Sequence, residues 1–213
     1  MEEQDVKWKI LKGAEGLFMR YGVRSISMDD IARHLTVSKK TLYQHFADKE
    51  DMVTMVCQVH LQEGQKEFDA IRANAENAID ELAGLSVCLK RNMEEINPSL
   101  LFDLQKYHPK AWALWQEFKR TCIYDSVKAN LDQGIEEGFY RPELNSKILS
   151  LVRMATVEIA FDDHTFPQKE FNLTDVQMQL FDHFVHGIVT EKGKKLYEKY
   201  KTKKAVETPI NQR

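Results

Sequence analysis

An all-α fold follows from three observations. Apolar residues recur at helical spacing along nearly the whole chain. The 213 residues include only 9 Gly and 5 Pro, a composition that suits long helices better than strands and tight turns. Pro98, Pro109, Pro142 and Pro167 fall between the periodic stretches, and a helix interior would reject them. Hydrophobic residues make up 43% of the chain, enough for a real core.

The first helix carries Ile10, Ala14, Leu17 and Tyr21 at i, i+4, i+7 and i+11, reinforced by Leu11 and Phe18. Gly22 ends it, since glycine tolerates positive φ. Ser27 reads as an N-cap, followed by Asp29 and Asp30 in the first turn of a short helix over Met28 to Leu35. Ile31, Ala32 and Leu35 face inward, Thr36-Val37 breaks the pattern, and Ser38 caps a third helix from Lys39 to Phe46. A fourth begins near Asp48. Beyond it the prolines delimit helical candidates at roughly 48–72, 76–97, 99–107, 110–137, 145–164 and 174–203. Gly138 is a C′ candidate and Asn145 an N-cap; the tail after Lys201, with Pro209, is expected to fray.

Composition narrows the function only slightly. No apolar run approaches the roughly 18 residues of a membrane span. Met1 to Lys9 lacks the apolar core of a signal peptide, so a cytoplasmic location is expected. Cys57, Cys88 and Cys122 are scattered without a CxxC pair, which fits reduced packing thiols. A net charge of −3 does not advertise nucleic acid, and nine Lys/Arg against eight Asp/Glu in residues 1–50 is a weak local excess. There is no Gly-rich phosphate loop and no nucleophile motif, so no catalytic residue, resident metal or cofactor is assigned.

The informative segment runs from Met28 to Phe46. A helix-turn-helix needs two short helices crossing around a tiny core, joined by a turn of three or four residues. Ala32 is small where the helices approach, and Ile31, Leu35, Val37 and Leu42 supply the apolar contacts. That spacing leaves Lys39, Lys40, Thr41, Tyr43, Gln44 and His45 around the outer part of the second helix, with side chains of the kind that reach phosphates and base edges. Thr36 occupies a turn position that favours Gly. A β-branched residue there costs about 1 kcal/mol or more if the geometry is left-handed, so a local distortion is expected.

Gly16-Leu17-Phe18, Tyr21-Gly22, Ser25-Ile26-Ser27-Met28, Ile31-Ala32, Val37-Ser38-Lys39, Thr41-Leu42-Tyr43, His45-Phe46 and Lys49-Glu50 together resemble the N-terminal signature of the tetracycline-repressor-like (TetR/AcrR) regulators. The loop Gly138 to Leu144 looks like one that precedes dimerisation helices in that family; Thr36 in place of glycine is the main departure. The resemblance implies a DNA-binding domain over residues 1–50 and a ligand-sensing and dimerisation domain over 51–213. It implies that Ser27 caps the first reading helix and meets a phosphate. Lys39, Lys40, Thr41 and Gln44 would then approach bases, with Lys40 and Gln44 the leading candidates, while Tyr43, His45 and Lys49 grip the backbone. The expected partner is a pseudo-palindromic duplex bound by a homodimer. Repression is the family expectation, with release by a ligand.

The remaining helices admit two readings each. The apolar positions of 176–189 spread over roughly 220°, wider than one buried face requires, and 148–161 is similarly rich. Such helices either form a fully buried core or pair between protomers. The second reading places Val152, Phe181, Phe184 and Ile188 at a dimer interface. Phe102, Trp112, Trp115 and Phe118 either line a cavity for a small apolar or aromatic ligand or are ordinary core. A metal-binding alternative rests on Asp162, Asp163 and His164 converging with His183 and His186.

Overall fold

The computed structural model describes residues 3–207. In order the helices are α1 (Glu3–Tyr21), α2 (Met28–His34), α3 (Lys39–His45), α4 (Lys49–Asn74), α5 (Ala78–Glu95), α6 (Leu100–Tyr107), α7 (Pro109–Phe118), α8 (Tyr124–Glu136), α9 (Ser146–Ile159), α10 (Leu173–Ile188) and α11 (Glu191–Glu207), with Lys119–Ile123 wound as a π-helix. Among the described residues there is no strand, only an isolated bridge between Tyr140 and Val189.

Two compact units emerge. The first comprises Met1–Gly64 and Glu95–Phe118, the second Gln65–Glu94 and Lys119–Arg213. This packing does not divide at residue 50. Met52, Val53, Val56 and Cys57 of α4 share one core with α1 to α3, as do Leu104 of α6 and Ala111 of α7. That core is built on the predicted stripe: Ile10, Ala14, Leu17 and Phe18 of α1 meet Ile31 and Ala32 of α2 and Leu42 of α3.

Gly22 (φ 80) closes α1. The turn after it is clasped from within the same unit. Asn97 donates its backbone N–H to the Met19 carbonyl at 2.7 Å, and the Asp103 carboxylate accepts from the Arg24 N–H at 3.0 Å.

The second unit is stapled by a buried polar network. The Tyr140 hydroxyl donates to Asn130 Oδ1 (2.8 Å), and Asn130 Nδ2 donates to Glu81 Oε2 (2.9 Å) and to the Ala78 carbonyl (3.0 Å). The start of α5, the middle of α8 and the loop after Gly138 (φ 72) are thereby fixed together. Each buried group finds a partner, which offsets part of the desolvation penalty it would otherwise carry, although burial still pushes the Glu81 carboxyl above its usual range.

Several predicted boundaries move. The 110–137 stretch is divided by the π-helical turn, and 145–164 ends at Ile159. The 174–203 stretch is two helices, because Val189 is extended and Thr190 caps α11, its hydroxyl accepting from the Gly193 N–H at 3.2 Å. Helix α11 reaches Glu207, past the predicted fray at Lys201; Pro209 lies outside the described residues.

Candidate nucleic-acid interface

Helix α2 is fixed at both ends. Ser27 Oγ accepts from the Asp30 N–H at 3.2 Å, while Asp30 Oδ2 accepts from the Ser27 N–H at 2.9 Å and the Ser27 hydroxyl at 2.5 Å. This reciprocal capping box satisfies the Ser27 and Asp30 N–H groups at the start of the helix. It holds the Asp30 carboxyl below its usual range through the Ser27 hydrogen bonds. At the other end the Val37 N–H reaches back to the Ala32 carbonyl (3.0 Å) and the Thr36 N–H to Arg33 (3.3 Å), a Schellman pattern. Thr36 has φ 56, the one non-glycine positive φ among the described residues. The expected distortion is absent: the turn keeps its left-handed geometry and the threonine carries the strain.

Helix α3 is anchored on one side only. Leu42 is 0% exposed and Phe46 is buried with it, while Ser38 Oγ accepts from the Thr41 N–H at 3.0 Å. The outer side is a polar row. Lys40, Tyr43 and Gln44 are exposed, and Lys40 meets no partner among the described residues. Lys39 is exposed too but pairs with Asp29 of α2 at 2.7 Å. An ion pair this accessible is worth at most about 1 kcal/mol, so a phosphate competes easily for the ammonium.

Other predicted residues are more committed. The Thr41 hydroxyl lies 2.8 Å from Ser38 Oγ, and His45 is half-buried with its ring edge-on to Phe46. Lys49 donates from Nζ to the Val23 carbonyl at 2.7 Å, and burial pulls its pKa down. It therefore ties the head of α4 to the turn after α1, with two of its three donors left over.

The helical-body candidates fall in different environments. Trp115 and Phe118 stack, with ring centroids 6.2 Å apart, and Trp115 Nε1 is buried without a partner among the described residues. Trp112 packs instead on the core of the first unit, and Phe102 is exposed beneath the Lys106 ammonium. Phe181 (5% exposed) and Ile188 (2%) are withdrawn as interface residues, because they are buried within their own unit's core; Phe184 is half-buried against it. Val152 is 46% exposed, in a stripe with Ile148, Leu151 and Ile159 that is also exposed. The metal alternative does not assemble. Asp162 closes a turn on Thr165 and His164, while His186 sits beside Asp182 and Glu198, and no metal-holding group of three forms among the described residues.

Residues 10–56 match the family model described as bacterial regulatory proteins, tetR family. Over these residues the chain carries the DNA-binding domain of the TetR family of transcriptional regulators. Similar proteins include the uncharacterized HTH-type transcriptional regulator YvaF of Bacillus subtilis, 25% identical over 78% of this chain and 87% of YvaF. Another is the HTH-type transcriptional repressor KstR2 of Mycobacterium tuberculosis, 28% identical over 64% of this chain and 70% of KstR2. A TetR-family regulator from Agrobacterium tumefaciens shares the fold, with a TM-score of 0.73 at 18% identity, over 89% of this chain and all of that one.

Sequence reasoning misses two sets of residues. Asn97 and Asp103, which clasp the turn after α1, sit far from it in the chain, and no periodicity signals such a hydrogen bond. Arg153 is hidden inside an apolar run, yet it lies about 140° around α9 from Ile148, on the inward side.

Proposed function

We propose that this TetR-family regulator is a homodimeric repressor that reads a pseudo-palindromic operator with α3 and lets go when a small molecule binds its helical body. The observation that carries the reading is α3 itself. Leu42 and Phe46 lock one side into the core, so Lys40, Tyr43 and Gln44 are presented on a rigid support with no acid among them. Gln44 and Lys40 are the groups for base edges in the major groove; Lys39, Tyr43 and the spare donors of Lys49 serve the phosphates. Ser27, Thr41 and His45 position the helix as much as they touch DNA.

Dimerisation is assigned to α9, whose apolar side faces solvent, with Val152 at its centre. Residues 1–50 read DNA, and 51–213 sense and pair. Three residues separate α3 from helix α4, which continues to Asn74 and so makes a covalent lever from body to reading head. Selection of bound duplexes from a random pool tests the core of this. Enrichment of inverted repeats whose half-site centres lie about one helical turn apart, or a multiple of it, is expected. Asymmetric sites, or none, would remove the dimeric reading.

A further inference from the structure

Helix α9 is built inside out. Its outward residues are Ile148, Leu151, Val152 and Ile159, while Ser150 and Arg153 point into the second unit. Arg153 is 6% exposed, and its guanidinium has five N–H donors. One reaches Thr156 Oγ1 at a long 3.3 Å, and the Phe181 ring lies 5.1 Å from Cζ. No carboxylate pairs with it among the described residues. Burial alone draws its pKa down to about 10, with no neighbouring charge contributing.

A second orphan sits close by. Gln177 of α10 is fully buried and donates from Nε2 to the Val157 carbonyl at 2.8 Å, but its Oε1 has no partner among the described residues. Val157 is one turn beyond Arg153, and Gln177 is one turn before Phe181. Both unmet groups therefore lie within a turn of each other along the paired helices. A buried cation without a counter-charge is strongly unfavourable, and proteins otherwise pair or neutralise such groups.

We propose that the helical body binds an organic monocarboxylate with an apolar framework, and that Arg153 receives the carboxylate. This rests on the ligand-release reading above and supplies its chemistry. The planar fork of guanidinium matches a carboxylate bidentately, and the interaction is strengthened away from water. One isolated cation fits a monoanion; a phosphate dianion would bring a second charge with nothing to meet it. The Phe181 ring and its apolar neighbours suit a hydrocarbon or aromatic body.

The test uses the purified full-length protein, with decanoate and 4-phenylbutyrate as probes and decanamide and 4-phenylbutyramide as neutral matches. Calorimetric titration is expected to show at least one carboxylate binding tenfold or more tightly than its amide, with the preference lost in Arg153→Met and partly kept in Arg153→Lys. Arg153→Met without ligand is expected to melt higher than the parent, because an unpaired buried charge is gone. Amides binding as well as the acids overturns the assignment but leaves ligand release standing. Acids that bind through Arg153 without changing operator affinity support the site and sink the release reading. A panel with no binder, or Arg153→Met melting lower than Arg153→Lys, overturns the proposal and makes Arg153 a packing residue.

Discussion

Thr36→Gly is expected to stabilise this protein, against the usual direction of point substitutions. A left-handed conformation costs a non-glycine residue about 1–2 kcal/mol, and Thr36 holds φ 56. Glycine removes that cost but returns about 0.4–1 kcal/mol through the greater freedom of the unfolded chain. Nothing else is lost. The Thr36 side chain is exposed and makes no hydrogen bond among the described residues, and both Schellman bonds are backbone bonds that glycine keeps. The net gain is about 0–1.6 kcal/mol, or a rise of up to roughly 6 °C for a chain of this size. Urea titration of the parent, Thr36→Gly and Thr36→Ala checks it, read by midpoint at unchanged slope. Alanine keeps the strained φ and should stay near the parent. A glycine midpoint at or below that of alanine would refute the argument, since relief of backbone strain would then have contributed nothing.

Gln44→Ala should cost about 1–3 kcal/mol at particular base pairs and leave random DNA unaffected, by competition binding on operator variants. Lys49→Ala should lower the log–log salt slope of operator binding by about 0.9 for each phosphate no longer neutralised, roughly two units for a dimer. Because Lys49 also holds the Val23 carbonyl, the same variant should melt lower, which a surface phosphate interaction alone would not produce. Val152→Glu should give a folded monomer with weak operator affinity in sedimentation velocity; an unchanged dimer would move the interface off α9. Cys57 and Cys88, whose thiols burial pushes up to about 12, should resist iodoacetamide at pH 8 in the native state and react once unfolded; fast native labelling would contradict their burial.

The reading head is legible in the sequence because its signals are local. Ser27, Ser38 and Gly22 are caps and stops within a few residues of what they terminate, and the Ile31–Leu42 core is a matter of spacing. The body is less so. Val189-Thr190 breaks α10 from α11 through a bridge to Tyr140, some fifty residues away, which periodicity runs straight past. Phe181 and Ile188 reveal the width of an apolar arc but not which part of it the protomer uses for itself. That partition depends on which helices pack on α10, information carried by tertiary packing alone. The Thr36 turn is the converse case: the demand for left-handed geometry is readable, and the fold meets it with an unfavourable residue.

The exposed apolar side of α9 has a consequence for how the protein would behave at cellular concentrations. If the reading-competent species is a pair joined through that helix, mass action makes its abundance rise with the square of total protein while monomer predominates. A halving of expression would then cut occupied sites more than twofold. The stripe of Ile148, Leu151, Val152 and Ile159 would act as a threshold, converting a graded supply of protein into a sharper regulatory response.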